Sequence, residues 1–298
     1  MSNEKQELYN EIKKCKLIVF SDIHYLDKRP NNIDWVLSRK LTQYADELLD
    51  NLIKKINNEY RPDLCICLGD LIEDQFNYEQ DLNNYKYIWN KLKNINTPFY
   101  SAIGNHDLRT IDSRKTLEEI MNYENATFSF DLNGYHFVIL STDIIKDIKI
   151  DESLIKKYKN VTEKELNALY KSQCISEKEI NWLKEDLQKN NFPCLIFTHY
   201  GLAEDEQIGN YWFEIEPEVG LLGNRKVVKD IIKNDENVIA IFTAHQHWTK
   251  RITEDGKDYY ILGSLTENIN NDGIPDGVYF EVDLDGCNVK VIEKHIQI

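Results

Sequence analysis

Short apolar runs that each stop at a polar side chain are the feature that most restricts how this sequence can fold. Runs this short and continuous favour strands that are buried on both faces. The polar residues that end the six runs are Asp22 with His24, Asp70, Asn105 with His106 and Asp107, Asp143, His199, and His245 with His247. Ligands gather at the carboxyl ends of strands in open α/β sheets, so we expect one shared site there.

Helical periodicity separates several of these runs. Apolar residues recur at helical spacing across Ile33–Ile56, Leu82–Leu92 and, more weakly, Val227–Ile232. Ser176 and Glu179 form a capping box that opens a further stripe. This alternation of strands and helices predicts an α/β fold class.

The segment after the last histidine pair has a different pattern. Its apolar runs at 259–262, 278–282 and 289–292 are accompanied by Asp-Gly pairs, which favour hairpin turns. We therefore expect an antiparallel part of a sheet at the C-terminus. The 6 prolines and 12 glycines are scattered and form no linker, so we expect one domain across residues 1–298.

The charge balance restricts the class of partner. Lys and Arg total 36 and Asp and Glu total 51, which gives a net charge of −15. An acidic chain disfavours general nucleic-acid binding and docking on anionic membranes. Residues 1–14 lack the apolar core of a secretory signal and no run is long enough to span a bilayer, so a cytoplasmic protein is expected.

The cysteines fit that location. They are Cys15, Cys65, Cys67, Cys174, Cys194 and Cys287. Most of them lie within apolar, strand-like runs, so we interpret them as buried reduced thiols rather than as a disulfide or zinc framework.

The polar residues at the strand ends have the chemistry of metal ligands. Asp22 and His24 are two residues apart and project to the same side of an extended backbone, and His245 and His247 repeat that spacing. Nitrogen and oxygen donors without thiolate suit Mn, Fe, Zn, Co or Ni. The donors are too many for one ion and suit two ions that share a carboxylate. The remaining candidates are Asp70, Asn105 and His199.

Together these motifs resemble the calcineurin-like metallophosphoesterase superfamily, whose pattern is D-x-H, G-D, G-N-H-D/E, a lone His and G-H-x-H. Here the motifs are Asp22-Ile23-His24, Gly69-Asp70, Gly104-Asn105-His106-Asp107, His199 and His245-Gln246-His247. Ala244 replaces the last glycine, a small change that keeps both histidines. The resemblance covers residues 17 to about 250. Residues 175–187 also resemble a helix of class III cyclic-nucleotide phosphodiesterases and purple-acid-phosphatase-like enzymes.

The resemblance implies two mixed β-sheets packed as a sandwich with helices outside. It also implies a role for each motif residue: Asp22, His24 and His247 bind a first metal ion, Asn105, His199 and His245 bind a second, Asp70 bridges both, His106 is the general acid, and Asp107 holds His106 in position. The two ions are expected to be Mn, Fe or Zn.

The implied reaction is the hydrolysis of a phosphoester by a hydroxide that bridges the metals. We expect a phosphodiesterase acting on a small nucleotide-like substrate. The motifs are equally compatible with a phosphomonoesterase or a nucleotide-diphosphate pyrophosphatase. A catalytically silent binding scaffold is the non-enzyme alternative, but such a chain would be expected to lack several ligands or His106.

Several other residues receive a structural interpretation. We expect His136 and His295 to be structural or surface residues, and Glu73 and Asp74 to form a solvated turn. No role is assigned to Thr142 and Asp143. Arg109 fits a phosphate contact or a surface salt bridge equally well. The aromatic cluster Tyr211-Trp212-Phe213 in the irregular stretch 200–224 could stack on a base or form a small satellite core.

Overall fold

The computed structural model describes residues 12–28, 35–111, 113–142 and 174–298. The strands are β1 (Cys15–Phe20), β2 (Leu64–Cys67), β3 (Phe99–Ser101), β4 (Phe128–Leu132), β5 (Tyr135–Leu140), β6 (Cys194–Thr198), β7 (Val238–Thr243), β8 (Lys250–Glu254), β9 (Lys257–Ile261), β10 (Val278–Asp285) and β11 (Asn288–His295). The α-helices are α1 (Trp35–Arg39), α2 (Ala45–Lys55), α3 (Tyr78–Leu92), α4 (Asn105–Arg109), α5 (Arg114–Met121), α6 (Glu177–Lys189) and α7 (Arg225–Lys233). Asp143 lies outside the described residues.

The strands form two mixed sheets. The first has five strands in the order β11-β10-β1-β2-β3, and the second has six in the order β4-β5-β6-β7-β9-β8. Strands β1, β2 and β3 are parallel, as are β5, β6, β7 and β9, whereas β10, β11, β4 and β8 run antiparallel to their neighbours. The predicted α/β class and the two-sheet arrangement implied by the resemblance are confirmed.

The central core lies between the two sheets. Val19 and Ile66 of the first sheet belong to the same buried cluster as Phe137, Phe197 and Phe242 of the second. The rings of Phe197 and Phe242 stack with centroids 5.0 Å apart. Burial of these aromatic and aliphatic side chains supplies the main driving force for packing the sheets together.

Each central strand is apolar on both faces because each face meets a different layer. Leu17 and Val19 of β1 face the core between the sheets, whereas Ile18 and Phe20 pack against the helices outside the first sheet. Strand β2 repeats the arrangement, with Cys65 and Cys67 on the helix side. This confirms the prediction of strands that are buried on both faces.

The predicted helical stripe from Ile33 to Ile56 is interrupted. Helix α1 ends at Arg39, and α2 begins only at Ala45, after a 3₁₀ turn. The cause is a tertiary contact: the Leu41 N–H donates to the Thr266 carbonyl at 2.8 Å, so the helical hydrogen bonding is broken there. Periodicity alone could not reveal this break, because the pattern of apolar residues continues through it.

The C-terminal prediction is correct for one hairpin. Strands β10 and β11 pair antiparallel across the turn at Asp285-Gly286. Strand β9 instead joins the second sheet, parallel to β7 and antiparallel to β8, because its apolar face contributes Tyr260 to the core between the sheets. Among the described helices, none combines the length and apolarity needed to cross a bilayer.

The cysteines occur largely as predicted. All six lie in described parts of the chain, and no disulfide joins any of them. Five are buried, whereas Cys287 is exposed in the turn between β10 and β11.

A buried arginine joins two outer helices. The Arg114 guanidinium lies 2.6 Å from Oε1 of Glu179, in the capping box of α6, and its Nε donates to Glu118 at 3.1 Å. Replacing Arg114 with Met would leave both carboxylates buried without their cation. We expect the free energy of unfolding to fall by about 3–5 kcal/mol, measured by urea denaturation.

The matched control is Lys189→Met, which breaks an exposed ion pair with Glu185 on α6. It should change the free energy of unfolding by less than about 1 kcal/mol. Equal effects of the two substitutions would contradict the role given to Arg114.

Candidate metal centre

The predicted strand ends converge on one site, and their backbone is strained there. Asp22, His24, Asp70, His245 and His247 all have positive φ, between 48° and 68°. This left-handed conformation is uncommon for residues other than glycine and costs free energy. Residues that carry this conformation together at one site indicate a functional constraint on the direction of their side chains.

Two glycines permit the close approach of the loops. Gly69 has φ of +106°, and a Cβ there would lie 2.5 Å from the backbone nitrogen of Gly104. A Cβ on Gly104 would collide with the Asp70 carboxylate. The G-D and G-N-H-D motifs therefore need glycine so that the loops after β2 and β3 can touch.

The first donor group consists of Asp22, His24 and His247. His247 Nε2 lies 3.2 Å from Asp22 Oδ1 and 3.0 Å from His24 Nε2. All three side chains are buried, and their donor atoms lie within 4.8 Å of one another.

The second donor group consists of Asp70, His199 and His245, which are also buried with donor atoms within 4.8 Å of one another. Asp70 Oδ2 lies 3.3 Å from His199 Nε2 and 3.9 Å from His24 Nε2, so this carboxylate contacts both groups. One terminal atom of the Asn105 amide lies 3.1 Å from His199 Nε2 and 2.8 Å from His245 Nδ1. The structure thus brings together all seven predicted ligands.

The residues fit two cations. Asp22 Oδ2 is buried and accepts no hydrogen bond from the described residues, whereas Asp22 Oδ1 and Asp70 Oδ2 face histidine ring nitrogens at 3.2–3.9 Å. Burying unpaired carboxylate oxygens is costly, and bound cations would offset that cost. The donors are carboxylate, amide and imidazole without thiolate, which suits borderline transition metals.

Carboxylates also raise the proton affinity of two of the histidines. Burial by itself lowers the pKa of His199, but the Asp70 carboxylate outweighs it and raises the pKa to about 9. Asp22 does the same for His247, again to about 9. Without a cation, these imidazoles therefore hold protons that a metal would have to displace.

Further carboxylates lie behind the first donor group. Glu73 Oε2 lies 2.9 Å from His24 Nδ1, and Glu267 Oε2 lies 2.8 Å from His247 Nδ1. Such contacts orient a histidine so that its other nitrogen can bind a metal. Glu267 belongs to no motif of the sequence. The signal that could have identified it is the apolar run of β9, which also leads towards the site.

The prediction that Glu73 and Asp74 form a solvated turn is wrong. Their exposed fractions are only 5% and 4%. After Asp70 the chain runs inward alongside the loop after β1, and the Glu73 N–H donates to the Tyr25 carbonyl at 3.0 Å. This pairing directs both carboxylates towards the site rather than towards solvent.

The contacts of His106 differ from those that the resemblance implies. Its Nδ1 lies 2.5 Å from Asp74 Oδ1. Asp107 instead accepts hydrogen bonds from the N–H groups of Asp70, Leu71 and Gly104 at 2.8–2.9 Å. The expectation that Asp107 holds the His106 ring is therefore corrected: Asp74 contacts the ring, and Asp107 fixes the backbone around it.

A lysine lies within a third cluster of buried side chains, formed by His24, Glu73 and His106. The Lys40 Nζ is 2.9 Å from Glu73 Oε2 and 2.9 Å from His106 Nε2. The ammonium lies where a cation would bind, so this cluster is not a third metal site. Burial lowers the pKa of His106 well below its usual value, although Glu73 opposes the shift.

The aromatic segment, the cluster Tyr211-Trp212-Phe213, lies against the donor groups. Trp212 Nε1 donates to Glu267 Oε2 at 3.1 Å, and the Phe213 ring centroid lies 4.9 Å from that of His245. Tyr211 is half exposed, with the Arg39 guanidinium 4.2 Å from its ring centroid. The segment therefore covers the site, and its role in base stacking stays a prediction.

The other residues singled out in the sequence lie as follows. His136 of β5 bonds Asp131 of β4 and Asp186 of α6, and His295 is exposed beside Glu293, so neither histidine joins the site. Arg109 pairs with Asp74 at 3.0 Å and keeps 40% of its side chain exposed, which matches the salt-bridge interpretation.

Glu267 is expected to strengthen metal binding by orienting His247. Glu267→Gln keeps the shape and removes the charge behind the imidazole. We expect metal affinity to fall by about 10–100-fold, measured by isothermal titration calorimetry. Glu185→Gln, an exposed site on α6, is the control. Unchanged affinity in Glu267→Gln would contradict this role.

Metal binding is expected to depend on pH. His199 and His247, each with a pKa of about 9, must lose protons before they can bind a metal. Affinity should therefore rise from about pH 6.5 to about pH 9, with proton release detected by calorimetry in buffers of different ionisation enthalpy. A constant affinity without proton release would contradict the protonation of these ligands.

Comparison with known sequences gives the family. Residues 15–249 match the model of the calcineurin-like phosphoesterases. A probable glycerophosphodiester phosphodiesterase from Arcobacter nitrofigilis is 27% identical over 204 residues, which cover 67% of this chain and 62% of the relative. A probable cyclic nucleotide phosphodiesterase from Xenorhabdus bovienii is 25% identical over 127 residues, covering 43% of this chain and 48% of the relative. The chain thus spans less than two thirds of either relative.

Solved structures share the fold. A dimetal phosphatase from Danio rerio superposes with a TM-score of 0.66 at 15% identity, covering 95% of this chain and 99% of that one. A purple acid phosphatase from yellow lupin seeds gives 0.62 at 12% identity, covering 96% of this chain and 52% of that one. The family match spans most of the sequence, including every predicted metal ligand, and the chain therefore belongs to the calcineurin-like phosphoesterase family.

Proposed function

We propose that this protein is a metal-dependent phosphodiesterase that hydrolyses a small, nucleotide-like phosphodiester. The observation that carries the proposal is the pair of buried donor groups joined by Asp70, with His106 beside them. Asp22, His24 and His247 would hold one ion, and Asn105, His199 and His245 the other, with Asp70 between them. Two bound ions, for which Mn, Fe or Zn suit the donors, would supply Lewis-acid charge and lower the pKa of water at the site.

His106 is the proposed general acid. Its Nδ1 faces Asp74, so Nε2, which Lys40 contacts at 2.9 Å, is the ring nitrogen that would face the leaving-group oxygen. An anionic phosphoester beside the ring favours the protonated imidazole, which can then protonate the departing alkoxide. When that proton moves to the alkoxide, the Asp74 carboxylate keeps the ring in place.

The preference for diesters and nucleotides has support from two sources. The two curated relatives are named as probable phosphodiesterases, one of them for cyclic nucleotides. The half-exposed Tyr211 and the neighbouring Trp212 give the site an aromatic wall on which a base can stack. The net charge of −15 disfavours large nucleic acids as substrates.

The cellular setting is part of the proposal. Five buried cysteines without a disulfide suit a reducing compartment, which supports a cytoplasmic location. We propose a single domain across residues 1–298, because both sheets contribute ligands to the same site and share one core.

The first test is hydrolysis of bis-p-nitrophenyl phosphate by Mn-loaded protein, with an EDTA-stripped sample as the control. We expect turnover that disappears on stripping and returns when the metal is restored. Turnover of p-nitrophenyl phosphate alone would favour the phosphomonoesterase, and turnover of nucleotide-diphosphate compounds alone would favour the pyrophosphatase. Loss of all turnover with both ions bound would favour the binding scaffold.

His106→Ala separates catalysis from metal binding. We expect kcat for a nucleoside phosphodiester to fall by about 10²–10⁴-fold, because the alkoxide must then leave without a proton. Metal affinity, measured by calorimetry, should stay within about twofold of the wild type, since His106 is absent from both donor groups. Full activity on an alkoxide leaving group would contradict the assignment.

A further inference from the structure

We propose that Lys40 binds the phosphoester on its leaving-group side, where its ammonium neutralises the oxygen that His106 protonates. This inference deepens the proposed function and rests on it. It concerns a residue outside every family motif in the sequence, and it defines the leaving group as the alkoxide of an aliphatic alcohol, such as a ribose hydroxyl.

The Lys40 ammonium lies beside the ring of the proposed general acid. Lys40 Nζ lies 2.9 Å from His106 Nε2, and the other ring nitrogen faces Asp74. A leaving oxygen that takes a proton from His106 must come within about 3 Å of Nε2. An oxygen that approaches Nε2 from the side that Lys40 occupies would meet both the ring nitrogen and the ammonium.

The Lys40 ammonium retains donor capacity. Lys40 carries three N–H donors, and its described partners within hydrogen-bond distance are Glu73 and His106. Glu73 is shared with His24, at 2.9 Å from Nδ1. The Lys40 side chain is only 5% exposed, and the Trp212 ring lies 5.5 Å from Nζ, so its charge acts in a partly dehydrated site.

Tertiary pairing of the backbone holds Lys40 in this position. The N–H of the next residue, Leu41, donates to Thr266, and the N–H of Asn268 donates to the Arg39 carbonyl at 2.7 Å. Lys40 itself forms a β-bridge with Glu267. These contacts interrupt the helical stripe at Lys40, so the fold fixes this lysine at the site.

The chemistry predicts when the lysine matters. Hydrolysis forms a bond between a water-derived oxygen and phosphorus and breaks the bond between phosphorus and the leaving oxygen, which takes the bonding electron pair and then the proton from His106. Charge that builds up before the proton arrives is stabilised by Lys40. An alkoxide needs this help much more than a nitrophenolate, which stabilises its own charge by resonance.

The first experiment compares leaving groups in the metal-loaded protein. For Lys40→Met, we expect kcat on a nucleoside 3′,5′-cyclic phosphate to fall by about 100-fold or more, but on bis-p-nitrophenyl phosphate by less than about fivefold. Lys40→Arg should restore part of the loss. Lys91→Met is the control, since Lys91 pairs with Asp46 and Asp50 on the outer helices. Equal losses on both substrates would overturn the proposal.

The second experiment does not depend on turnover. Binding of inorganic phosphate to the metal-loaded protein is measured by calorimetry, and Lys40→Met should weaken it by about tenfold or more with metal affinity unchanged. Wild-type phosphate affinity in Lys40→Met would overturn the inference, and so would loss of metal binding, which would mean that Lys40 acts through Glu73 and His24. If the wild type hydrolyses neither ester but phosphate binding still needs Lys40, only the proposed phosphodiesterase function fails.

Discussion

The contact of Asp70 with histidines from both donor groups is the interaction on which the rest of the site depends. Its carboxylate lies within 4 Å of His199 and His24, which follow strands of different sheets. The His106 N–H donates to its other oxygen at 2.8 Å, and Asp107 fixes the Asp70 N–H. A carboxylate buried in this way needs positive charge nearby. The histidines meet that electrostatic requirement, and the glycines and the positive-φ residues allow the loops to bring them close enough.

Glu267 connects that centre to the parts of the chain that would contact substrate. Its carboxylate bonds His247, Trp212 and Arg39, and all three contacts are 2.8–3.1 Å long. A change in the position of Trp212 would therefore change the contacts of His247, a predicted metal ligand. Thr266 and Asn268, the neighbours of Glu267, pair with the backbone around Lys40. One stretch of chain therefore holds both His247 and Lys40 in position.

The electrostatics of the site also reconcile an acidic chain with the phosphoester substrate that we propose. The chain as a whole carries a net charge of −15. At the site, the carboxylates are turned towards the space between the histidines, and the Lys40 ammonium lies 2.9 Å from His106 Nε2. Bound cations would complete the local reversal of charge, which composition alone does not reveal.

The sequence by itself determined the fold class and predicted the seven candidate ligands that the structure brings together, because strand ends in α/β sheets meet at one edge and each motif stands at such an end. Only the tertiary structure decided the partners of those ligands. Glu73, Asp74 and Glu267 are ordinary carboxylates in the sequence, and Lys40 lies within an apparent helix. Their roles depend on backbone pairing between distant loops, which no local pattern of residues encodes.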